Sequence, residues 1–399
     1  MIQTDYKICI ISHTHLCRNP RALKEAIALA KIGYNVEVLN SVYDTNLLAE
    51  DKNLVKNYPI KLNHVSDLSV KNFTSFCDRL IKKTADFFVK YLRIETRYAL
   101  GYAPNRYLKK ALAIKAHLYI CHQELPLYLG IKLSQKGFKT AFDIEDWHSE
   151  DLMPNVRKSK AIRLLKKTEK FALGKGAYCS TTSHALAKKL SETYKTHIPE
   201  VIYNVFDIEL PKLKQPDTGI LKLVWFSQHI GKGRGIEEFI NIFHHVHHSI
   251  ELHLIGDIGH SYKSSLIAQM PQQHKIIFHE IMPTEQLDKA LKKFDIGLAI
   301  ELNQPASRDL TITNKFFQYI QNGLPVIATD TNGQKEIFDV NKPGIMINFN
   351  AVDYENINLF LSSNQQLTQA KNMAVKTAEE YNWNIESLKL IKLVENALQ

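Results

Sequence analysis

Residues 314–330, NKFFQYIQNGLPVIATD, combine an apolar helical segment with a polar start and an abrupt stop. Gly323 can take the left-handed backbone that closes a helix, and Pro325 forbids its continuation. Val326, Ile327 and Ala328 then read as a short buried strand. At the other end Thr311, Thr313 and Asn314 can cap the helix, and its first free N–H groups carry partial positive charge, the makings of an anion site. Side chains lean toward a helix N-terminus, so Gln318, one turn past Asn314, can reach a ligand held there, and Lys315 adds a cation. The plainer alternative is a capped helix whose Gln318 and Lys315 are solvated. A second polar set falls into three clusters: Ser12, His13, Thr14 and His15; His122, Gln123 and Glu124; and residues 143–150, DIEDWHSE, with Glu145, Asp146 and His148. Any of these can equally be a satisfied turn residue.

The elements that must position these groups follow from apolar periodicity. Residues 7–12 form a strand, 20–32 a helix with Pro20 in its first turn and Gly33 at its end, and 36–39 the next strand. This βαβ opening implies a parallel sheet with ligands at the carboxyl ends of its strands. Strands follow at 118–121, 140–143, 177–181 and 200–203, with a helix at 157–173, so each polar cluster lies just past a strand. The pattern then restarts: strand 221–226, helix 235–248, strand 251–255, helix 261–270, strand 275–278, helix 284–292 and strand 295–300. Between the halves, residues 209–219 are polar, hold two prolines and lack apolar period, as a linker would. The expected division is 1–208, linker 209–219, 220–380, and a closing helix 381–399. The chain is an α/β protein of two Rossmann-like parallel-sheet domains facing across a cleft.

At 399 residues the chain exceeds one ordinary core, and its 45% hydrophobic content suits a globular protein. No apolar run is long enough to span a membrane and the first is too short for a signal peptide, which predicts a cytoplasmic protein. The five cysteines, odd in number and dispersed, fit reduced thiols. Net charge is +10, concentrated in residues 71–115, where cations interleave with Phe73, Phe76, Leu80, Phe87 and Tyr91. That pattern fits an amphipathic basic helix pair resting on an anionic membrane surface, with a solvated lysine-rich helix as the alternative. No nucleic-acid module is recognisable, so no nucleic-acid partner is expected. The histidines of HHVHHSIELH (244–253) lack a completing carboxylate and read as surface residues on a helix.

The ordered set of NPRALKEAIALAKIGYNVEVL, LVWFSQHIGKGRGIEEFI, the 314–330 stretch and YNWNIESLKLIKLVENAL resembles the GT-B glycosyltransferases, specifically the retaining group that uses nucleotide diphosphate sugars (family 4-like). The resemblance implies a donor domain in the second half and a terminal helix that crosses back to the first. It places donor-phosphate cations in a loop at 227–235, at His229 and Arg234, with Lys232 nearby. Gly231, Gly233 and Gly235 would let the backbone approach phosphate oxygens. Where members carry two glutamates, this chain has Gln318, a workable ribose ligand, and Leu310, which cannot replace a carboxylate; Asp309, Thr311 or Thr313 are then left to contact sugar or phosphate. On the acceptor side His13 and His15 are candidates by their place after the first strand, while the resemblance points to the pair His122 and Glu124 and to one of Glu145, Asp146 or His148 facing the transferred sugar. Glu336 matches a recurrent glutamate and reads as a loop or cap residue.

The implied activity is transfer of a sugar from a nucleotide sugar donor to a hydroxyl of a glycan or lipid-linked acceptor, with retention, no metal and no cofactor, by a cytoplasmic protein peripheral at the inner face of a membrane. A nucleotide-sugar 2-epimerase of the same architecture, or a non-catalytic nucleotide-sugar-binding protein, are the rival expectations.

Overall fold

The computed structural model describes residues 5–207 and 219–399, so the expected linker lies, apart from Gly219, outside the described residues. The chain forms two compact units: Met1–Thr182 with Leu186–Ile202 and Ser387–Gln399, and Tyr203–Glu386 with Ser183–Ala185.

The first unit is built on seven strands, β1 (Lys7–Ile11), β2 (Asn35–Val42), β3 (Ile60–Asp67), β4 (Leu118–His122), β5 (Thr140–Ile144), β6 (Cys179–Thr181) and β7 (Glu200–Val201). They lie in the order β3-β2-β1-β4-β5-β6-β7, every pair parallel. Helices cover both faces of such a sheet, so central strands read as continuous apolar runs: β4 and β5 are buried at every position. Strand order reverses between β1 and β4, which opens a crevice at their carboxyl ends.

The second unit repeats the plan with β8 (Leu221–Ile230), β9 (Ile250–Ile258), β10 (Lys275–His279), β11 (Ile296–Ala299), β12 (Val326–Thr329) and β13 (Gly344–Ile347), ordered β10-β9-β8-β11-β12-β13 and wholly parallel. Its switch point lies between β8 and β11. The helix Asn314–Gln321 buries Phe316, Phe317, Tyr319 and Ile320 completely, each worth roughly 1.5–3 kcal/mol of transfer free energy. Gly297 of β11 permits this seating, because a Cβ there would stand 2.2 Å from the Tyr319 ring. Gly323 closes the helix at φ 74°.

Several expected boundaries shift. Residues 227–230 are not loop: β8 runs on to Ile230, and after a bulge between Phe226 and His229 it pairs His229 with Asp257 of β9. The expected helix 235–248 stops at Ile242 and gives way to a tight turn at Phe243–His245, so the histidine run does not lie on that helix. The consecutive histidines supply no apolar face on which a helix could continue. The helix expected at 157–173 begins at Ile162, after a four-residue turn at Pro154–Arg157. The strands β3 and β13 were not expected. The first is an edge strand with broken apolar alternation and the second only four residues long. All five cysteines are free, and among the described residues no helix is long and apolar enough to cross a membrane.

Candidate functional site

In the first unit, adjacency of β1, β4 and β5 brings the three polar clusters together at one sheet edge. Gln123 ties them: its Oε1 accepts from Ser12 Oγ (3.0 Å) and His13 N (3.2 Å), while its Nε2 donates to Thr14 Oγ1 (3.1 Å). Gln123 does so from φ 72°, a conformation that non-glycine residues hold only where their surroundings enforce it.

Below this turn lies a set of charges that is buried except for Glu145, which is partly exposed. His122 is fully buried between Glu25 (Nε2 to Oε2, 3.1 Å) and Glu145 (Nδ1 to Oε1, 3.0 Å). Burial opposes its charge, but Glu25 above all, then Glu145 and Asp143, raise the imidazole to about 10, so both nitrogens donate. Glu145 Oε1 also accepts from Asn19, and the hydrogen bond and charge of His122 hold its pKa well below the ordinary carboxylate value. Arg21 donates through Nε to Asp143 and through Nη1 to the Ile202 carbonyl (2.6 Å). Two cations thus face three carboxylates, and one proton would balance them. Burial and the neighbouring Glu25 and Glu145 raise the Asp143 carboxyl, so the cluster takes up that proton as a unit.

This geometry corrects two expectations. His122 does not pair with Glu124, which instead accepts from Lys160 (3.2 Å), and being wholly enclosed it can position neighbours but cannot touch a ligand. His15 is likewise enclosed: Nε2 accepts from Tyr43 N (2.9 Å), which leaves Nδ1 to donate to Asp51 (2.7 Å). The residues that do stand at the edge are His13, Glu124, Asp146 and His148. Asp146 is exposed, and His13 and His148 are half-buried. His13 Nδ1 and His148 Nε2 are buried without a hydrogen-bond partner among the described residues. Desolvation pushes the His13 imidazole down to about 4, so it is neutral at pH 7. Among the described residues, two groups have donor atoms clustered as metal ligands do, His15 with Cys17 and Asp51, and Glu25 with His122 and Asp143, and both are engaged in hydrogen bonds of their own.

In the second unit the groups gather at the β8/β11 switch point. Beyond β8, Gly233 and Gly235 turn with φ 75° and 82°, and a Cβ at Gly235 would lie 3.6 Å from Ile300, so this turn packs on the end of β11. Arg308, from the short helix Ala306–Leu310 that precedes the 314 helix, donates to the Gly233 carbonyl (2.8 Å). The glycine turn and the approach to the 314 helix are therefore neighbours. Lys232 is exposed and Arg234 half-buried, and neither forms an ion pair among the described residues. Thr313 caps the 314 helix by accepting from Phe316 N (3.3 Å), while Asn314 Oδ1 accepts from Asn204 (2.8 Å). Lys315 Nζ lies 3.4 Å from Glu301 and 5.1 Å from the Trp225 ring centre. Glu301 is itself buried, with Oε2 unpartnered among the described residues.

Other expected ligands have local duties. Gln318 is buried and donates to Asp288 (2.9 Å). Asp309 accepts from the amide and side chain of Asn332 (3.2 and 2.5 Å), and Thr311 is half-buried. His229 is exposed beside Asp257 (3.2 Å). Glu336 accepts from the amides of His184 and Ala185 (3.2 and 3.1 Å), as a cap does. Arg21, Glu25, Glu301 and Arg308 were not expected. Arg21 and Glu25 interrupt, at four-residue spacing, the stripe that Ala28, Leu29 and Ile32 continue, a signal of buried charge in the helix Pro20–Lys31. Glu301 directly follows an apolar strand, and Arg308 is the only cation between that strand and the 314 helix.

Residues 221–357 match the family model described as glycosyl transferases group 1. Among solved structures the chain is similar to sucrose-phosphate synthase from Thermosynechococcus elongatus, at 13% identity over 98% of each chain with a TM-score of 0.71. HepE from Anabaena, in complex with UDP and glucose, is similar at 14% identity over 98% of this chain and 99% of that one, TM-score 0.64. TarM is similar at 11% identity over 98% and 99%, TM-score 0.68. No protein of curated function matches by sequence. The two parallel sheets and these likenesses define the GT-B fold. The group 1 glycosyl transferase match lies inside the second unit, on a chain of that fold.

Proposed function

We propose that the protein moves a hexose from a nucleoside diphosphate sugar to a hydroxyl of a glycan or lipid-linked intermediate of a surface polysaccharide, with retention, without metal, at a membrane surface. The observation that carries this reading is the Arg308 bond to the Gly233 carbonyl, which sets the glycine turn bearing Lys232 and Arg234 beside the segment leading into the capped 314 helix. A pyrophosphate needs closely approaching backbone and cations that are not already neutralised, and Lys232 and Arg234 meet that need. Lys315 enters with its charge shared by Glu301, so it serves best as a group that releases toward phosphate as the ligand arrives. HepE, in its own structure, holds UDP, which makes uridine diphosphate sugars the first donors to test.

In a retaining transfer the acceptor hydroxyl attacks the anomeric carbon on the face from which the diphosphate leaves. The new C–O bond forms as the bond to phosphate breaks, and the hydroxyl proton passes to the departing phosphate oxygen. No strong base is required, so the rate rests on stabilising the leaving diphosphate, and removal of one such donor costs on the order of 10²–10³ in kcat. On the first unit, His13 and His148 each keep a ring nitrogen free to orient a sugar hydroxyl. Gln318, with its amide given to Asp288, stands as a ribose ligand only through its remaining oxygen.

The test is a thermal-shift panel of UDP, GDP and their sugars on wild type and Arg234→Ala. A shift with one base, lost in the variant, supports the reading; equal shifts in both remove Arg234 from the site. Product analysis completes it. Epimerised sugar nucleotide formed without acceptor would replace transfer by epimerisation, and loss of activity with chelator would overturn the metal-free mechanism.

A further inference from the structure

The helix Phe73–Phe87 is mounted inside out. An amphipathic helix of a globular protein normally turns its apolar stripe to the core. Here Phe73, Phe76, Leu80, Phe87 and Tyr91 recur at helical spacing along the helix and the turn Phe88–Leu92 that continues it, and they are 81%, 61%, 51%, 52% and 61% exposed. The side turned to the protein is narrow and holds Ser75, Asp78, Ala85 and Val89, none of them large; Ser75 Oγ donates to the Val70 carbonyl (2.6 Å), and Asp78 accepts from Arg106 of the helix Pro104–Ile114. The mounting is therefore held by specific bonds, and the row of exposed rings is a built surface.

Charge decides what covers it. Residues 69–94 hold six cations, Lys71, Arg79, Lys82, Lys83, Lys90 and Arg93, against Asp78 and Asp86, a net of 6 − 2 = +4. Both carboxylates are engaged, Asp78 with Arg106 and Asp86 with Lys82. Arg79, Lys83 and Lys90 lie exposed along one margin of the stripe. A second copy of the chain would bring the same positive margin against this one, and like charges oppose that pairing.

We propose that this face docks on an anionic phospholipid membrane, its rings entering the boundary between headgroups and acyl chains while Arg79, Lys83 and Lys90 lie among the phosphates. This inference rests on the membrane placement proposed above and names the face that makes it; the surface shares no residue with the nucleotide site, so failure of vesicle binding and failure of nucleotide binding are told apart. The experiment is co-sedimentation of the full chain with vesicles of phosphatidylcholine alone or mixed with phosphatidylglycerol. Binding is expected only with the anionic lipid, weakening as salt screens the cations. Lys83→Glu with Lys90→Glu should weaken it by at least about fivefold per cation. Phe73→Ser, Phe76→Ser and Phe87→Ser together should weaken it by at least about a hundredfold, and all five positions are exposed, so the fold should be kept. A blue-shifted emission from Phe76→Trp on anionic vesicles would confirm insertion. Equal partition onto both vesicle types, no binding to either, or a concentration-dependent dimer that the serine variant abolishes would each overturn the proposal.

Discussion

The two units place charge in opposite ways. In the first, Arg21 and His122 are enclosed with Glu25, Asp143 and Glu145, each cation answered by a carboxylate. In the second, Lys232 and Arg234 stand on a glycine turn without an acidic partner among the described residues. Enclosed, paired charge gives geometric definition: it fixes the floor under the β1, β4 and β5 ends and leaves nothing over for a ligand. Unanswered charge at a sheet edge contributes little to folding and keeps its full attraction for an anion. The difference separates residues that hold the molecule from residues that can act on something else.

The largest effect that would test this contrast is on stability. Arg21→Ala should lower it by about 3–5 kcal/mol, read as a drop in the thermal midpoint, because Asp143 and Glu25 would remain buried without their cation. A loss under about 1 kcal/mol would mean that the enclosed set is not coupled. Next comes Arg234→Ala, expected to cost 10²–10³ in turnover while the midpoint of the ligand-free protein moves by no more than about 0.5 kcal/mol equivalent. Lys315→Ala should show both behaviours at once: weaker nucleotide binding, and about 1–3 kcal/mol of lost stability because Glu301 is left buried alone.

The pH dependence sharpens the same comparison. His122 has its pKa raised from an ordinary 6.5 to about 10, so the folded state binds more protons than the unfolded one in that interval. Its contribution is complete below pH 6.5 and is lost as pH climbs toward 10. Asp143, raised by the same crowding, acts in the same sense at lower pH. Thermal midpoints measured across pH 6.5–10 should fall in wild type and flatten in His122→Gln. The smallest effect belongs to His229→Ala. Its contact with Asp257 is exposed, so nucleotide binding should weaken by less than about threefold.

Much of this arrangement was legible in the sequence because it is local. Apolar runs marked the central strands, Gly323 and Pro325 ended the 314 helix, and Thr313 proved to be its cap. Three polar clusters could be assigned to strand ends before their adjacency was known. What could not be read is what depends on distant partners. His122 looks outward beside Glu124 in sequence, yet its carboxylates come from Glu25, on a helix packed over the sheet, and from Glu145 at the next strand. His15 was hidden by Asp51, thirty-six positions on. The extension of β8 was missed because Ser227, Gln228 and His229 are polar, and only pairing with β9 makes them strand. Arg308 is invisible as a site residue until its bond to Gly233 closes the turn.

The central claim is that the glycine turn and the start of the 314 helix hold a diphosphate. Calorimetric titration of the full chain with a nucleoside diphosphate and the matching monophosphate tests it most directly, with Arg234→Ala measured alongside. The account predicts at least about tenfold tighter binding of the diphosphate by wild type, and a gap that collapses in the variant. Equal affinity for the two nucleotides in wild type, or an unchanged gap in Arg234→Ala, would contradict it.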